Sequence, residues 1–294
     1  MTTASDVASG KTHTDENFPV ASHLIAARHR PAVMAFYNFV RAADDVADHA
    51  TLTQAEKLDH LDRLEQSLLG RRDDEPVARP LRAVLAERRL TPRHAQDLIA
   101  AFRLDVAKNR TADWADLIHY CSLSAMPVGR YVLDVHGESD STWAASDAVC
   151  AALQIINHLQ DCGKDFRDLD RVYIPDDALA AAGLTVEALR ADKASPALRG
   201  LIRDLAVRTM GLLDDGGVLP RQVADFRMSL ECAVIIALAR HLTTTLMSHD
   251  PLSERVHHNK FEYLRIGGAG AARTALGRLL RRPAAPAAAR VGRA

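Results

Sequence analysis

The chain has 294 residues, of which 48% are hydrophobic and 26% are charged, as in a globular protein with a sizeable core. The net charge of −1 and the 5% aromatic content exclude a basic, base-stacking surface for nucleic acid. The sequence predicts neither a signal peptide nor a membrane span, because no apolar run of sufficient length occurs. The four cysteines form no C-x-x-C pair, which favours reduced thiols in a cytoplasmic protein.

Helical patterns dominate the chain from about residue 18 to 266, because Ala, Leu and Arg are frequent and β-branched alternation is scarce. The polar stretch 1–15 is predicted to be disordered. The first helix begins near Pro31. The second begins after Thr53, a preferred capping residue, and stops at Gly70.

The second half of the chain continues the same pattern. We expect a helix over 113–137 with a kink at Pro127 and Gly129, followed by a helix over 142–166 that is apolar nearly all round. An apolar helix of that kind is typical of the centre of a bundle. Residues 271–294 contain six arginines and no acidic residue, which predicts a disordered basic tail or, alternatively, a weak tether to anionic lipid. One domain over 16–270 is expected.

Two D-x-x-x-D pairs end apolar helices: Asp44 with Asp48, and Asp161 with Asp165. Residues four apart lie on one helix face, so the carboxylates of each pair converge and repel each other. One such pair on a helix is common, but two on core helices indicate that a divalent cation compensates them. Carboxylates that share a cation with phosphate groups suit Mg²⁺. The pairs therefore predict a site for a diphosphate bridged by several Mg²⁺ ions.

The letters around both pairs resemble the squalene/phytoene synthase family. RAADDVAD, at 41–48, resembles the first aspartate-rich motif of that family, and QIINHLQDCGKDFRDLDRVYIP, at 154–175, resembles the second. YCSLSAMPVG, at 120–129, resembles a further family helix. The resemblance covers roughly residues 16–266. It implies an all-α isoprenoid synthase fold, a single helical bundle with a central cavity.

The resemblance also implies roles for individual residues. The implied ligands of two or three Mg²⁺ ions are Asp44, Asp48, Asn157, Asp161 and Asp165. The implied substrate-binding residues are Phe18, Arg41, Tyr120, Val128, Gly129, Asn157, Arg171 and Arg255. The arginines would contact diphosphate, Tyr120 would lie beside the departing group, and Val128 with Gly129 would line the hydrocarbon channel. The implied catalytic residues are Arg41, Tyr120 and the four aspartates of the two pairs. Asp45 would act on the metal ligands without binding the metal itself.

The sequence departs from the family pattern in two places, and ENFPVAS followed by AFYNFVRAADDVAD, at 35–48, resembles one bacterial branch of the family, which serves hopanoid biosynthesis. Members that condense two prenyl diphosphates carry a Ser-rich segment where this chain reads ENFPVAS, at 16–22. The helix around 231–242 also lacks a tyrosine often found there. The resemblance implies that presqualene diphosphate is ionised, rearranged and quenched by water to hydroxysqualene, without NADPH. It further implies a functional link to a presqualene diphosphate synthase and a flavin-dependent hydroxysqualene dehydroxylase.

Two other functions remain open. A head-to-head prenyltransferase, making squalene, presqualene diphosphate or phytoene, would use two prenyl diphosphates such as farnesyl diphosphate. A catalytically inactive helical binding or assembly protein of the same fold would not need the acidic pairs. Because the expected products are very apolar, we also expect peripheral contact with the inner membrane surface.

Overall fold

The computed structural model describes residues 3–4 and 25–280. Residues 25–280 form twelve α-helices and no β-strand, which confirms the all-α prediction. In chain order the helices are α1 (Arg30–Asp48), α2 (Gln54–Leu68), α3 (Ala78–Arg88), α4 (Arg93–Ala107), α5 (Trp114–Ser124), α6 (Met126–His136), α7 (Trp143–Leu169), α8 (Asp176–Ala181), α9 (Pro196–Asp215), α10 (Leu219–Gln222), α11 (Phe226–Leu246) and α12 (Lys260–Leu280).

Helix α7 lies at the centre of the bundle, as its apolar sequence predicts. It is 27 residues long and packs against α5, α6, α9 and α11. Ala151, Ala152, Ile155 and Ile156 are almost fully buried in its middle. Burying apolar side chains on several faces stabilises a helix far more than its intrinsic propensity does, so α7 gives the site a rigid wall.

A second core joins α1, α2, α3 and α4. Tyr131, on α6, closes this core: its ring stacks on Phe36 with centroids 4.0 Å apart, and its hydroxyl donates to the Ala32 carbonyl at 3.0 Å. Because α6 also packs on α7, it connects the two halves of the bundle. The active-site candidates on α1 and α7 are therefore held by one continuous scaffold.

Local signals set the limits of α2 as predicted. The Thr53 side chain accepts from the Glu56 backbone N–H, and the Glu56 side chain accepts from the Thr53 backbone N–H, which is a capping box. Gly70 follows the helix with φ of 72°, a conformation that favours glycine.

The predicted kink in the helix over 113–137 is instead a complete break. Helix α5 ends at Ser124 and α6 begins at Met126, with Ala125 between them at φ −129° and ψ −46°. Pro127 is the cause, because it has no N–H to donate to the preceding turn and its ring crowds the carbonyl four residues earlier. The break turns α6 away from α5 toward α1 and α4.

The ends of the chain differ from the predicted boundaries where they are described. Ala4 is buried, and its N–H donates to Glu75 Oε2 at 2.9 Å, so this part of the 1–15 segment is ordered. Residues 271–280 belong to α12 rather than to a disordered tail, because Ala, Leu and Arg are strong helix formers and α12 packs along α11. The remainder of both predicted terminal segments lies outside the described residues.

Helix α11 is long and apolar enough to cross a membrane when judged by length and composition alone. However, 61% of its apolar window is buried inside the protein, between α7, α9, α10 and α12. That environment is the one expected of a core helix in a bundle.

Candidate active site

The predicted site residues gather where the last turns of α1, α4 and α7 meet the middle of α5. The segment after α7 is held there by the segment after α4: the Val172 N–H donates to the Asn109 carbonyl at 3.0 Å, and the Asp176 N–H donates to the Thr111 carbonyl at 2.8 Å. These backbone bonds place Arg171 and Tyr173 against α1, α4 and α5. We call this region the acidic pole.

The first aspartate pair occupies the last two turns of α1. Arg41 donates to Asp44 at 2.5 Å and to Asp45 at 2.6 Å. The side chain of Asp45 is only 5% exposed, whereas those of Asp44 and Asp48 are 31% and 35% exposed. Asp45 thus holds Arg41 from its buried side, while the carboxylates of Asp44 and Asp48 remain accessible to a ligand.

The second pair lies along one face of α7. Asn157, Asp161 and Asp165 follow one another at intervals of four residues, and all three side chains are half-buried. The neighbouring Gln160 turns away, and its side-chain amide donates to the Val256 carbonyl. The spacing therefore presents three oxygen-bearing side chains in a row, as the sequence predicts.

The two pairs influence each other's protonation. Burial, and then the charge of Asp48, raise the pKa of Asp44 to about 7. Burial and Asp161 raise the pKa of Asp165 to about 7, and Asp48 on α1 contributes to that rise. Since a like charge acts only at short range in this way, α1 and α7 direct their carboxylates into one shared space.

Arg171 joins the two helices. Its guanidinium donates to Asp48 at 2.6 Å and to the Ala47 carbonyl at 3.3 Å, and the residue is buried. Burial lowers the pKa of Arg171, but the charges of Asp105 and Asp48 raise it further, so the net shift is upward. A fixed positive charge therefore stands among the carboxylates.

Asp105, at the end of α4, is a site residue that the sequence interpretation missed. It accepts hydrogen bonds from the hydroxyls of Tyr120, at 2.7 Å, and Tyr173, at 2.9 Å. Burial raises the pKa of Asp105 to about 6, although Arg171 opposes the rise. The sequence did contain a signal for it: Asp105 follows Leu98 by seven residues and Phe102 by three, so an acidic residue falls on the buried face of an amphipathic helix.

The two tyrosines form an aromatic wall with His158. The His158 ring stacks on Tyr173 with centroids 3.6 Å apart, and the Tyr120 ring lies 5.0 Å from that of Tyr173. Burial, with a smaller effect of Arg171, lowers the pKa of His158 to about 3, so the imidazole is neutral at physiological pH. Burial also raises the pKa of both tyrosines, which keeps their hydroxyls protonated.

The remaining predicted residues lie farther from this cluster or outside it. A Cβ on Gly129 would come within 2.5 Å of Ser146 Oγ and Cys150 Sγ, so this glycine serves the close contact of α6 with α7. Val128 is exposed to 39%. Arg255 is exposed at the rim. Burial lowers the pKa of His257, the charge of Arg255 lowers it further, and Asp161 opposes the fall, so Arg255 and the second pair act on the same imidazole. Phe18 lies outside the described residues.

Among the described residues, no three His, Cys, Asp or Glu side chains converge closely enough to form a complete metal-binding group. The acidic pole instead offers separate carboxylates on two helices. That arrangement suits Mg²⁺, which is commonly held by one or two carboxylates together with substrate phosphates and water.

An all-helical bundle that opposes two aspartate pairs across one pole has the architecture of an isoprenoid synthase, and solved structures support that class. A crystal structure of squalene synthase HpnC from Alicyclobacillus acidocaldarius aligns with a TM-score of 0.67 and 31% identity, over 77% of this chain and 86% of that one. A dehydrosqualene synthase at 19% identity shares the fold, with a TM-score of 0.77 over 89% and 93% of the two chains.

Residues 11–262 match the family model for squalene/phytoene synthase, and the chain belongs to that family. A Rhodopseudomonas palustris protein named hydroxysqualene synthase is 58% identical over 264 residues, which cover 90% of each chain. One of the same name from Sinorhizobium fredii is 52% identical over 283 residues, covering 95% of this chain and 97% of the relative. The family predicted from the sequence motifs is confirmed.

Proposed function

We propose that this protein acts as a hydroxysqualene synthase, which converts presqualene diphosphate and water into hydroxysqualene and diphosphate. The observation that carries the proposal is the meeting of two aspartate pairs at one pole, tied together by the buried Arg171. Three relatives named hydroxysqualene synthase, 49–58% identical over at least 90% of this chain, support the choice of substrate.

The oxygen-bearing side chains of the acidic pole fit Mg²⁺, because buried like charges with raised pKa values are relieved by a divalent cation. The residues that would hold two or three such ions are Asp44, Asp48, Asn157, Asp161 and Asp165. When bound, the ions would neutralise the negative charge that grows on the diphosphate as the carbon–oxygen bond breaks.

The arginines of the acidic pole would complete the binding of diphosphate. Arg41 and Arg171 each donate to a carboxylate of the first pair, and a guanidinium carries five N–H donors, so each can hold an aspartate and a phosphate oxygen together. Arg255, on the rim, would close over the same group. These contacts strengthen as charge moves onto the leaving diphosphate, which favours the transition state over the bound substrate.

The aromatic wall would guide the carbocation. Asp105 fixes both tyrosine hydroxyls, so Tyr120 and Tyr173 present rigid rings beside the carboxylates. A ring face attracts a cation, and a fixed ring also limits where water can approach. Asp105 thereby acts as a positioning residue for Tyr120, the residue expected beside the departing diphosphate.

The substrate and product define the reactions on either side. Presqualene diphosphate must come from the condensation of two farnesyl diphosphates, so a presqualene diphosphate synthase would supply it. Hydroxysqualene must lose its hydroxyl by reduction, so a flavin-dependent dehydroxylase would consume it. Both the substrate's hydrocarbon chain and the C30 alcohol are very apolar, so the enzyme would act from the cytoplasm at the surface of the inner membrane.

A head-to-head prenyltransferase is the second candidate function. The observation that favours it is the 31% identical solved structure described as a squalene synthase. Such an enzyme would bind two farnesyl diphosphates instead of one presqualene diphosphate. The residues that distinguish the two in sequence, around Phe18, lie outside the described part of the chain.

A paired assay distinguishes the candidates. The full chain is incubated with Mg²⁺ and without NADPH, once with presqualene diphosphate and once with farnesyl diphosphate, and the lipids are identified by mass spectrometry. We expect a C30 alcohol from presqualene diphosphate alone, with one oxygen from ¹⁸O-labelled water. Presqualene diphosphate or a C30 hydrocarbon formed from farnesyl diphosphate would establish the prenyltransferase instead.

A matched pair of variants excludes a contaminating activity. Asp165→Asn removes a carboxylate of the acidic pole, whereas Asp168→Asn removes an exposed one on the same helix. The first should abolish alcohol formation and the second should leave it unchanged. Equal activity in both variants would show that the second aspartate pair does not carry the reaction.

A further inference from the structure

Helix α12 presents its large apolar side chains to solvent, which is the reverse of the usual arrangement in a helical bundle. Phe261, Leu264, Leu276, Leu279 and Leu280 are 57–81% exposed. With 100° of rotation per residue, the first four fall within one arc of about 120°, which also contains exposed Gly268, Ala272 and Arg265. We call this arc the outer face of α12; it runs for about 30 Å.

The opposite side of α12 is made of small residues that fit closely on α11. A Cβ on Gly270 would lie 2.9 Å from the Ala233 carbonyl oxygen, and one on Gly267 would lie 3.1 Å from Val234. The helix is therefore seated in one orientation, and that orientation fixes the large apolar side chains outward. An apolar stripe of this length on a surface marks an interaction site rather than scattered exposure.

Basic residues accompany the outer face. Helix α12 carries Lys260, Arg265, Arg273 and Arg278 against a single acid, Glu262. Arg265 lies within the arc of the outer face, and exposed Lys260 and Arg273 flank that arc within about 60° of rotation. An apolar stripe flanked by basic side chains complements a layer of anionic phosphate groups above hydrocarbon.

We propose that the outer face of α12, with the basic residues in it and beside it, docks this protein on an anionic phospholipid surface. The apolar side chains would enter the acyl boundary, while the arginines bind lipid phosphates. The charged residues of α12 keep the helix in the plane of the interface instead of across the bilayer. A second copy of the chain is a poorer occupant, since two such faces would bring arginines against arginines.

The position of α12 links this surface to the acidic pole. Val256, whose carbonyl accepts from Gln160 on α7, precedes the first residue of α12 by only four positions. Docking through α12 would thus hold that end of the pole near the lipid. The docking proposal does not depend on the reaction, because lipid binding is measured without substrate.

Vesicle co-sedimentation tests the proposal with the full chain. We expect binding to phosphatidylcholine vesicles only when they contain phosphatidylglycerol, and weakening by added salt. The double variant Leu276→Ser/Leu279→Ser should lower the partition coefficient at least about tenfold, because two leucines no longer leave water. Arg273→Gln should lower it about fivefold. Val207→Ser, at an exposed apolar position on α9, is the matched control and should bind like the wild type.

A fluorescence measurement reports which face enters the lipid. Leu279→Trp should shift its emission to shorter wavelength on addition of phosphatidylglycerol vesicles, and Val207→Trp should not. Equal vesicle binding by the wild type and the double leucine variant would overturn the proposal. The proposal would also be overturned if the double leucine variant kept vesicle binding but lost a dimer that the wild type forms in light scattering. That result would assign the outer face to a second copy of the chain. Circular dichroism confirms that each variant is folded.

Discussion

The acidic pole and the outer face of α12 depart from the usual distribution of residues in opposite ways. At the pole, carboxylates are drawn partly out of water, with Asp161 and Asp165 half-buried one turn apart. On α12, leucines such as Leu279 are left in water. Each arrangement costs folding free energy, because an uncompensated buried charge and an exposed apolar stripe are both unfavourable.

The comparison shows where a ligand is needed. In the proposals made above, a cation and a diphosphate would compensate the carboxylates, and a lipid surface would compensate the leucines. Most of the remaining residues follow ordinary rules: Ile156 is buried and Asp168 is exposed. Sites that break local rules without internal compensation are those at which function is expected. The proposals for catalysis and for docking rest on this same argument, applied to opposite chemistry.

Loss of a carboxylate from the acidic pole should have the largest effect. We expect Asp161→Asn to lower kcat/KM for presqualene diphosphate by about 10²- to 10³-fold, because the charge on the leaving diphosphate is no longer fully stabilised. The measurement is a steady-state assay with Mg²⁺ in excess. Asp168→Asn should retain wild-type kcat/KM, and a comparable loss in both variants would point to general disruption of α7.

Loss of the arginine that joins the helices should also lower the stability of the fold, apart from its effect on diphosphate binding. Arg171→Gln leaves Asp48 and Asp105 without the buried positive charge beside them. Removing one partner of a buried pair costs about 3 kcal/mol. Urea denaturation at neutral pH measures this difference. Arg110→Gln, which breaks the more exposed pair with Asp170, should cost under about 1 kcal/mol. Similar losses in the two variants would mean that the pole does not withdraw Arg171 from water.

The sequence predicted the acidic pole better than it predicted its surroundings. Asp44, Asp48, Asp161 and Asp165 repeat at a spacing that places each pair on one helix face, so their convergence could be inferred locally. Asp105 could not be paired in this way, because it contacts Tyr120 and Tyr173 only after α4, α5 and the segment after α7 come together. Long-range contacts of this kind leave no periodic trace in the chain.

The limits of the helices show the same distinction between local signals, which the sequence reveals, and long-range contacts, which it does not. The capping residue Thr53 acts on its own turn, and the predicted start of α2 is confirmed. The break at Ala125 and the continuation of α12 to Leu280 depend on packing against α1, α4 and α11, which propensity alone does not report. The outward orientation of the apolar side chains of α12 follows from the glycines that pack against α11. Those contacts appear only in three dimensions.

The pH dependence of stability distinguishes the pole from ordinary surface acids. In the folded chain the pKa of Asp44 and of Asp165 is about 7, well above the unfolded value of 3.8. The folded state therefore holds protons that the unfolded state releases, so the contribution of these two carboxyls to the free energy of unfolding should fall as pH rises from about 4 to 7. Because the lowered pKa of His158 acts in the opposite direction, the contribution is measured as the difference between the wild type and Asp165→Asn. Since Asp44 is 31% exposed and the carboxyls interact, we expect a loss of about 1–2 kcal/mol.

Urea denaturation in chelator measures this fall without divalent cations. Asp165→Asn should reduce it and raise stability at pH 8, while Asp168→Asn should follow the wild type. Addition of Mg²⁺ with inorganic diphosphate should restore stability at high pH, because the ligands bind the ionised carboxylates. A stability difference between the wild type and Asp165→Asn that stays constant from pH 4 to 7 would contradict the proposed repulsion between the pairs.

The smallest expected effect separates the two sides of α12. A Cβ on Gly268 would meet no atom within 4 Å, so Gly268→Ala should stabilise the protein by about 0.5–1 kcal/mol through helix propensity. Gly270→Ala gains the same propensity but forces its Cβ to 2.9 Å from the Ala233 carbonyl, so α12 must move away from α11. Overpacking should make this variant less stable than the wild type by about 1 kcal/mol. Urea denaturation should give changes in unfolding free energy of opposite sign for the two variants. That result would establish that close contact fixes the inner side of α12 while the outer side is free. This arrangement leaves the leucines available to lipid. Equal stabilisation in both variants would mean that α12 is not seated on α11, and the outward orientation of its apolar face would lose its physical cause.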